Sequence, residues 1–326
     1  MRPTIAAPAK PRRRLTLFRP AYALLAFGAL TAGSTWLWFG QGLFIPRLAG
    51  LLLMGGLGLS AAGAAVALLR RRRPLVALAL FLAMAVALPL LILVAYRMKT
   101  GVPILMHDGA YQTEEAIRFV LSGQNPYGRD YSRTSMRLWH WYVNTPLDPS
   151  LFHYVYYPAT FLLPLPFAAL SFALHLPFDV RLVWLGAIGV GGWALWAMPW
   201  RWEWRYVALC ALFLDPLFYF PQGRNDILWL AGITLGLLAF SRGRLRLAAL
   251  AFGAALAFKP FAVFFAILIA VAIVRRCGGR RPLRTAGILA GLAVPAALTI
   301  GPFFLWNPAA FWADTVAFVA GTDPHS

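Results

Sequence analysis

Carboxylates are scarce in this chain: eleven Asp and Glu stand against thirty Lys and Arg in 326 residues, and charged residues of both signs make up only 13%. With 60% hydrophobic residues beside them, so few charges exclude an ordinary soluble domain and point to an integral membrane protein. Cysteine is nearly absent. Cys210 opens an apolar segment and Cys277 falls in a basic loop, which excludes a disulfide framework and a CxxC metal pattern. The five histidines have no ligand spacing such as HExxH. No internal repeat stands out, and no low-complexity tract beyond the N-terminal tail.

The formal charge of +19 would suit a nucleic-acid binder, but in so apolar a chain it reads first as an orientation signal. Residues 1–20, rich in Pro and Arg, read as a basic cytoplasmic tail. Residues 21–97 hold three apolar segments (21–39, 48–69 and 75–96), with the arginines of 70–73 as a cytoplasmic turn, so the third segment delivers the chain to the outer face. Residues 98–155 are polar enough to form an outer loop carrying surface helices. Residues 156–305 contain seven more apolar segments: 156–176, 180–199, 206–220, 227–240, 247–258, 261–274 and 284–305. Residues 306–326 form an outer C-terminal segment, with 309–320 suited to a short interfacial helix.

The basic turns 200–205, 241–246 and 275–284 decide the path. If 156–176 crossed the bilayer, all three would lie outside; if it dips and returns, as Pro158, Pro164, Pro166 and Pro177 permit, all three lie inside. The second path places 20 of the 30 Lys and Arg on the cytoplasmic side and 10 of the 11 acids toward the outer side, and leaves nucleic acid no role. The expected fold is therefore all-α: a polytopic transmembrane helix bundle of about nine or ten membrane segments, several short or re-entrant. The four segments between 206 and 274 reach only about 17 to 22 Å, against a hydrocarbon core of about 30 Å. Their polar tips, PQGRND at 221–226 and FKP at 258–260, should sit below the outer surface. Broken backbone at that depth is tolerated where protein encloses it, so a cavity under the outer loop is expected.

The stretch that the rest serves is 106–127, MHDGAYQTEEAIRFVLSGQNPY. Ala116, Ile117, Val120 and Leu121 fall at helical spacing with Glu114, Glu115 and Arg118 away from most of them, which predicts a surface helix over 113–122 ended by the GQNPY turn. Asp108 suits a base that deprotonates an acceptor hydroxyl, since partial desolvation strengthens a carboxylate as a base; the alternative is a helix N-cap, a role Thr113 is closer to fill. His107, Glu114 and Glu115 are second choices, although acids on a surface helix can simply be solvated. Tyr111, Tyr127, Arg129, Tyr157 and Asp226 are possible substrate contacts; Tyr127, Tyr156, Tyr157 and the Trp residues could stack on sugar rings, and interfacial anchoring explains them as well. Lys259 and Arg224, the cations nearest the expected cavity, could hold a phosphate as a point charge and a planar fork. The plainer alternatives are that Lys259 snorkels and that Arg224 bridges to Asp226. No cofactor is required; Asp108 with Asp226 or Glu114 could bind a divalent metal.

Asp108 and Tyr111 just after a membrane segment, GQNPYG at 123–128, YVYYP at 154–158, the GRND tip and GAALAFKP at 253–260, in that order, resemble the GT-C superfamily of membrane glycosyltransferases. Within it the chain is most similar to the bacterial mannosyltransferase-like branch that includes phosphatidylinositol-mannoside mannosyltransferases. The resemblance covers about residues 75–305. It implies a polyprenyl-phosphate-linked sugar donor, a lipid or glycan acceptor, inverting transfer on the extracytoplasmic face of the plasma membrane, Asp108 as base and Lys259 at the donor phosphate. A lipid or sugar transporter or flippase, or a non-catalytic membrane subunit, is the alternative. Short broken helices also suit a carrier, whereas a large acid-bearing loop and no inverted repeat do not.

Overall fold

A computed structural model describes residues 87–101, 106–138, 151–201, 204–205, 208–209, 223–278 and 282–322. The tail 1–20, the segments 21–39 and 48–69, the turn 70–73, most of 75–96, loop residues 139–150 and most of 206–220 with Cys210 lie outside the described residues. The regular secondary structure of the described residues is all helical, with no strand among them. In chain order the helices are α1 (Leu88–Thr100), α2 (Asp108–Leu121), α3 (Ala159–Leu162), α4 (Leu165–Ala173), α5 (Val180–Trp196), α6 (Asp226–Ser241), α7 (Leu245–Phe258), α8 (Ala262–Cys277), α9 (Pro282–Trp306) and α10 (Pro308–Trp312).

The segments read as 180–199, 227–240, 247–258, 261–274 and 284–305 coincide within a few residues with α5 to α9. Cys277 ends α8 instead of lying in a loop. The segment 156–176 is two short helices, α3 and α4, parted at Leu163 and Pro164, where proline cannot extend the first helix. Among the described residues, only α9 is both long and apolar enough to cross a membrane. Its 25 residues make about 37 Å of helix, and only Ile288 and Phe303 along it are buried. Large apolar side chains face outward from α8 and α9: Phe264, Leu268, Leu298 and Leu305 are 65%, 67%, 71% and 77% exposed.

Small residues let α6, α7 and α9 approach closely. A Cβ at Gly236 would meet the Phe252 ring at 2.4 Å, and one at Gly253 would stand 2.6 Å from the Leu292 carbonyl oxygen and 2.7 Å from that of Gly291. Pro295 lies inside α9 and has no N–H to give the carbonyl four residues earlier, that of Gly291. The bare backbone of Gly253 fills the space beside that released carbonyl.

At the other side of the bundle, a charge cluster joins three helices. Arg97 in α1 donates to both Glu114 oxygens in α2 at 2.8 and 2.6 Å, and from Nη1 to Asp179 at 2.9 Å. Asp179 caps α5 by accepting from the Arg181 N–H at 3.0 Å, and takes two further bonds from the Arg181 guanidinium at 2.9 and 2.7 Å. The Val180 N–H donates to Glu114 at 3.0 Å. Two guanidiniums and two carboxylates leave the buried cluster formally neutral.

This cluster changes the expected character of α2. The helix starts at Asp108, five residues earlier than the periodicity predicts, and buries Gly109 through Ile117, both glutamates included. Thr113 is therefore no cap; its hydroxyl donates to the Gly109 carbonyl within the helix at 2.6 Å. The Glu114 and Glu115 carboxylates leave the solvent because Arg97 and the Ser135 hydroxyl receive them.

The C-terminal segment closes on the loop. Asn307 caps α10 through the Ala310 N–H, and Asp314 accepts from the Gly128 N–H at 2.8 Å and meets His153 Nδ1 at 3.0 Å. The interfacial helix expected over 309–320 is α10 followed by a π-turn, Ala313–Ala317.

Burial alone would push the Asp179 carboxyl up, but bonds and charge from Arg181 and Arg97 outweigh it and hold the group below the usual carboxylate range. A depressed folded pKa gives stability that is fully present above the unfolded value, about 4, and is lost as pH falls through the folded value. Asp179→Asn leaves two buried guanidiniums short of charge, so a loss on the order of 3 to 5 kcal/mol at pH 7 is expected, together with a flatter acid limb. Thermal unfolding of both proteins in detergent from pH 3 to 7 checks this; an unchanged acid limb would remove Asp179 as its source.

Candidate functional site

The N-terminus of α2 places His107 and Asp108 side by side at the edge of the loop. His107 has extended backbone and occupies the cap position, and Asp108 is the first helical residue. The Gly109 N–H points at Asp108 Oδ1 (2.6 Å) and His107 Nδ1 (3.1 Å), while Nδ1 also contacts Oδ1. One ring nitrogen cannot both accept from Gly109 and donate to Asp108. The carboxylate is the stronger and nearer acceptor for the amide, so Nδ1 carries its hydrogen and gives it to Asp108. Asp108 is therefore not the cap, a position His107 takes, and its side chain stays about a quarter exposed.

Opposite this pair stands Tyr156. A Cβ at Gly109 would lie 2.2 Å from the Tyr156 hydroxyl, so only glycine admits the phenol there. The hydroxyl feels the charges of Asp108, Asp226 and Arg224, and Lys259 Nζ sits 6.0 Å from the ring centroid. The tip before α6 is held against α2 in the same way. Gly223 has φ +84°, and a Cβ on it would meet the Arg181 side chain at 2.8 Å and the Ala110 methyl at 3.0 Å.

The two polar tips meet. Lys259, extended at the end of α7, donates to Asp226 Oδ1 at 2.5 Å, and the Trp229 indole N–H donates to the same oxygen at 3.1 Å. Lys259 thus bridges to Asp226 at hydrogen-bond distance, and the Arg224 charge acts on the same carboxylate. Asn225 is buried, and its Nδ2 meets no acceptor among the described residues. Asp108, from one stretch, and Arg224, Asp226 and Lys259, from two others more than a hundred residues further on, therefore gather around one tyrosine.

The remaining candidates lie elsewhere. Glu114 is spent on Arg97 and the Val180 amide, so it cannot join Asp108 at a metal, and no three His, Cys, Asp or Glu side chains gather into a metal site among the described residues. Glu115 bonds the Ser135 hydroxyl. Tyr111 is buried beneath Arg97. Tyr127 is buried among Tyr154, Phe161, Phe303 and Phe311 and donates to the Tyr156 carbonyl at 2.8 Å. Tyr157 is half-buried and stacks on Phe311, and the exposed Arg129 donates to the Asn125 carbonyl at 3.0 Å. GQNPY and YVYYP thus build an aromatic core that supports the site from beneath. Sequence reasoning passed over Tyr156 except as one of several stacking rings; the glycine directly after Asp108 is the signal that something bulky approaches there.

Gly109→Ala should drive the Tyr156 ring from its place and cost about 1 to 3 kcal/mol. In a Tyr156→Ala background the same substitution should cost far less, measured by denaturant unfolding in detergent. Equal costs in the two backgrounds would show that the contact carries no energy. Comparison of the chain with protein-family models, with curated proteins and with solved structures finds no match.

Proposed function

We propose that the chain is an integral membrane glycosyltransferase of GT-C type. It moves a mannose-like or pentose sugar from a polyprenyl-phosphate donor to a hydroxyl of a lipid or glycan acceptor, with inversion, on the outer face of a plasma membrane. The observation that carries this reading is the gathering of the Asp108 carboxylate and two cations, Lys259 and Arg224, around Tyr156. That is the pairing such a transfer needs: a base for the acceptor and positive charge for the leaving phosphate. The outward apolar faces of α8 and α9, together with basic turns at the opposite end of the bundle, favour a multi-pass protein with this site on the outer side.

The acceptor oxygen attacks the anomeric carbon and forms the new bond as the carbon–oxygen bond to the donor phosphate breaks. The electron pair of that bond leaves on the phosphate oxygen, and the hydroxyl proton passes to Asp108. His107, donating to Asp108, orients the carboxylate. Lys259 gives one N–H to Asp226 and has two more for phosphate oxygens, beside the fork of Arg224. The Asn225 amide is a further donor for the same group. Asp226 sets the position of Lys259.

The test is transfer of labelled sugar from polyprenyl-phosphate mannose, arabinose or glucose by the purified protein. Asp108→Asn should lower transfer by roughly 10² to 10⁴-fold with donor binding retained, and Lys259→Met should weaken donor binding. Transfer that persists in Asp108→Asn would remove Asp108 as base. The break between α3 and α4 also suits a carrier, and labelled lipid moved across proteoliposomes without a covalent product would replace the transferase reading with that one.

A further inference from the structure

A second charged site lies at the far end of the bundle from Lys259, where α6 and α8 end and α7 and α9 begin. A cleft of about 790 Å³ opens there, lined by Arg244, Arg246, Arg276 and Arg284 with Thr285 and Ile288 at its floor. Among the described residues, no carboxylate lines it. The sequence makes this an extended imbalance: from 227 to 313 there are nine Lys and Arg and no acid. Arg276 is fixed in place, donating to the Phe240 carbonyl at 3.2 Å and lying over the Phe240 ring at 5.2 Å. Arg244, Arg246 and Arg284 are exposed, and none meets a carboxylate among the described residues.

Four guanidiniums around one concavity repel one another unless an anion offsets them. Two neighbouring features identify the anion's chemistry. The volume exceeds what a lone phosphate fills and suits a headgroup. Exposed apolar side chains adjoin it: Leu247, in its lining, is 51% exposed, and Leu250 of α7 and Leu283 of α9, next in sequence to Arg284, are 40% and 89% exposed.

We infer that this cleft binds the phosphate-bearing headgroup of an anionic phospholipid, with the acyl chains along α7 and α9 and the arginines forming charge-assisted bonds to the phosphate oxygens. Basic pockets between membrane helices on the cytoplasmic side recognise anionic lipids by this chemistry. The inference rests on the membrane reading above but not on sugar transfer.

The experiment uses the full-length chain. Carbonate-washed membranes first show whether it is embedded. Protein purified in detergent is then delipidated and titrated with phosphatidylglycerol, phosphatidylcholine or inorganic phosphate, with bound lipid counted by native mass spectrometry and the melting temperature followed in parallel. Phosphatidylglycerol should bind and raise the melting temperature where phosphatidylcholine does not. In the triple variant Arg244→Gln, Arg246→Gln, Arg284→Gln its affinity should fall at least tenfold, with the lipid-free melting temperature unchanged. Equal binding of the two lipids, or a triple variant that binds phosphatidylglycerol as the parent does, overturns the proposal. So does full displacement of the lipid by millimolar inorganic phosphate, which would assign the cleft to a soluble anion. A chain washed off by carbonate removes the membrane reading and this proposal with it, whereas an embedded chain indifferent to lipid charge removes this proposal alone.

Discussion

The neutral cluster of Arg97, Glu114, Asp179 and Arg181 is the constraint on which the rest of the structure depends. Burying any one of these charges alone would cost several kcal/mol, so none can leave the cluster without stranding another. The cluster therefore fixes three helices together: α1 through Arg97, α2 through Glu114 and α5 through its cap. Its reach extends one step further, because the Arg181 stem is the surface on which Gly223 rests. The tip that carries Arg224 and Asp226 is thus seated on a group already locked by two bonds to Asp179.

The candidate site inherits its geometry from that seating. Ala110 and Gly109, the first small residues of α2, admit the Gly223 turn on one side and the Tyr156 phenol on the other, and both closures would be lost to larger side chains. Beneath them the aromatic core around Tyr127 fills the volume between the loop and the C-terminal segment. Asp314 ties that segment to the loop through the Gly128 amide and His153. Charge, small residues and rings act at successive distances from Asp108, and each positions the next.

Much of this order is legible in the sequence, and the reasons for the exceptions are specific. Apolar runs bounded by basic turns locate α5 through α9 because hydropathy is a local property, and the polar FKP and GRND tips are equally local. Local periodicity fails on α2. Glu114 and Glu115 look solvated when only neighbours are considered, since their partners Arg97 and Ser135 lie 17 and 20 residues away. Asp179 and Arg181 drew no notice because the pair reads as the flank of an apolar segment. In a chain with eleven acids, asking each one for a partner would have recovered the cluster. The pairing of Lys259 with Asp226, 33 residues apart, belongs to the same class of contact.

The close packing of Gly253 against α9 has a consequence for depth. α7 and α9 both run from the basic cleft toward the Lys259 end, and Gly253 lies level with Gly291 and Leu292. Lys259 is six residues beyond Gly253, which brings it level with about residue 298, roughly 12 Å short of the end of α9 at Trp306. The register between two helix backbones thus acts as a gauge that sets the Lys259 backbone well inside the span of α9. Because α7 cannot slide past α9 without driving Gly253 off the carbonyls it faces, that depth is written into main-chain contact, and the lysine's own flexible side chain has little part in choosing it.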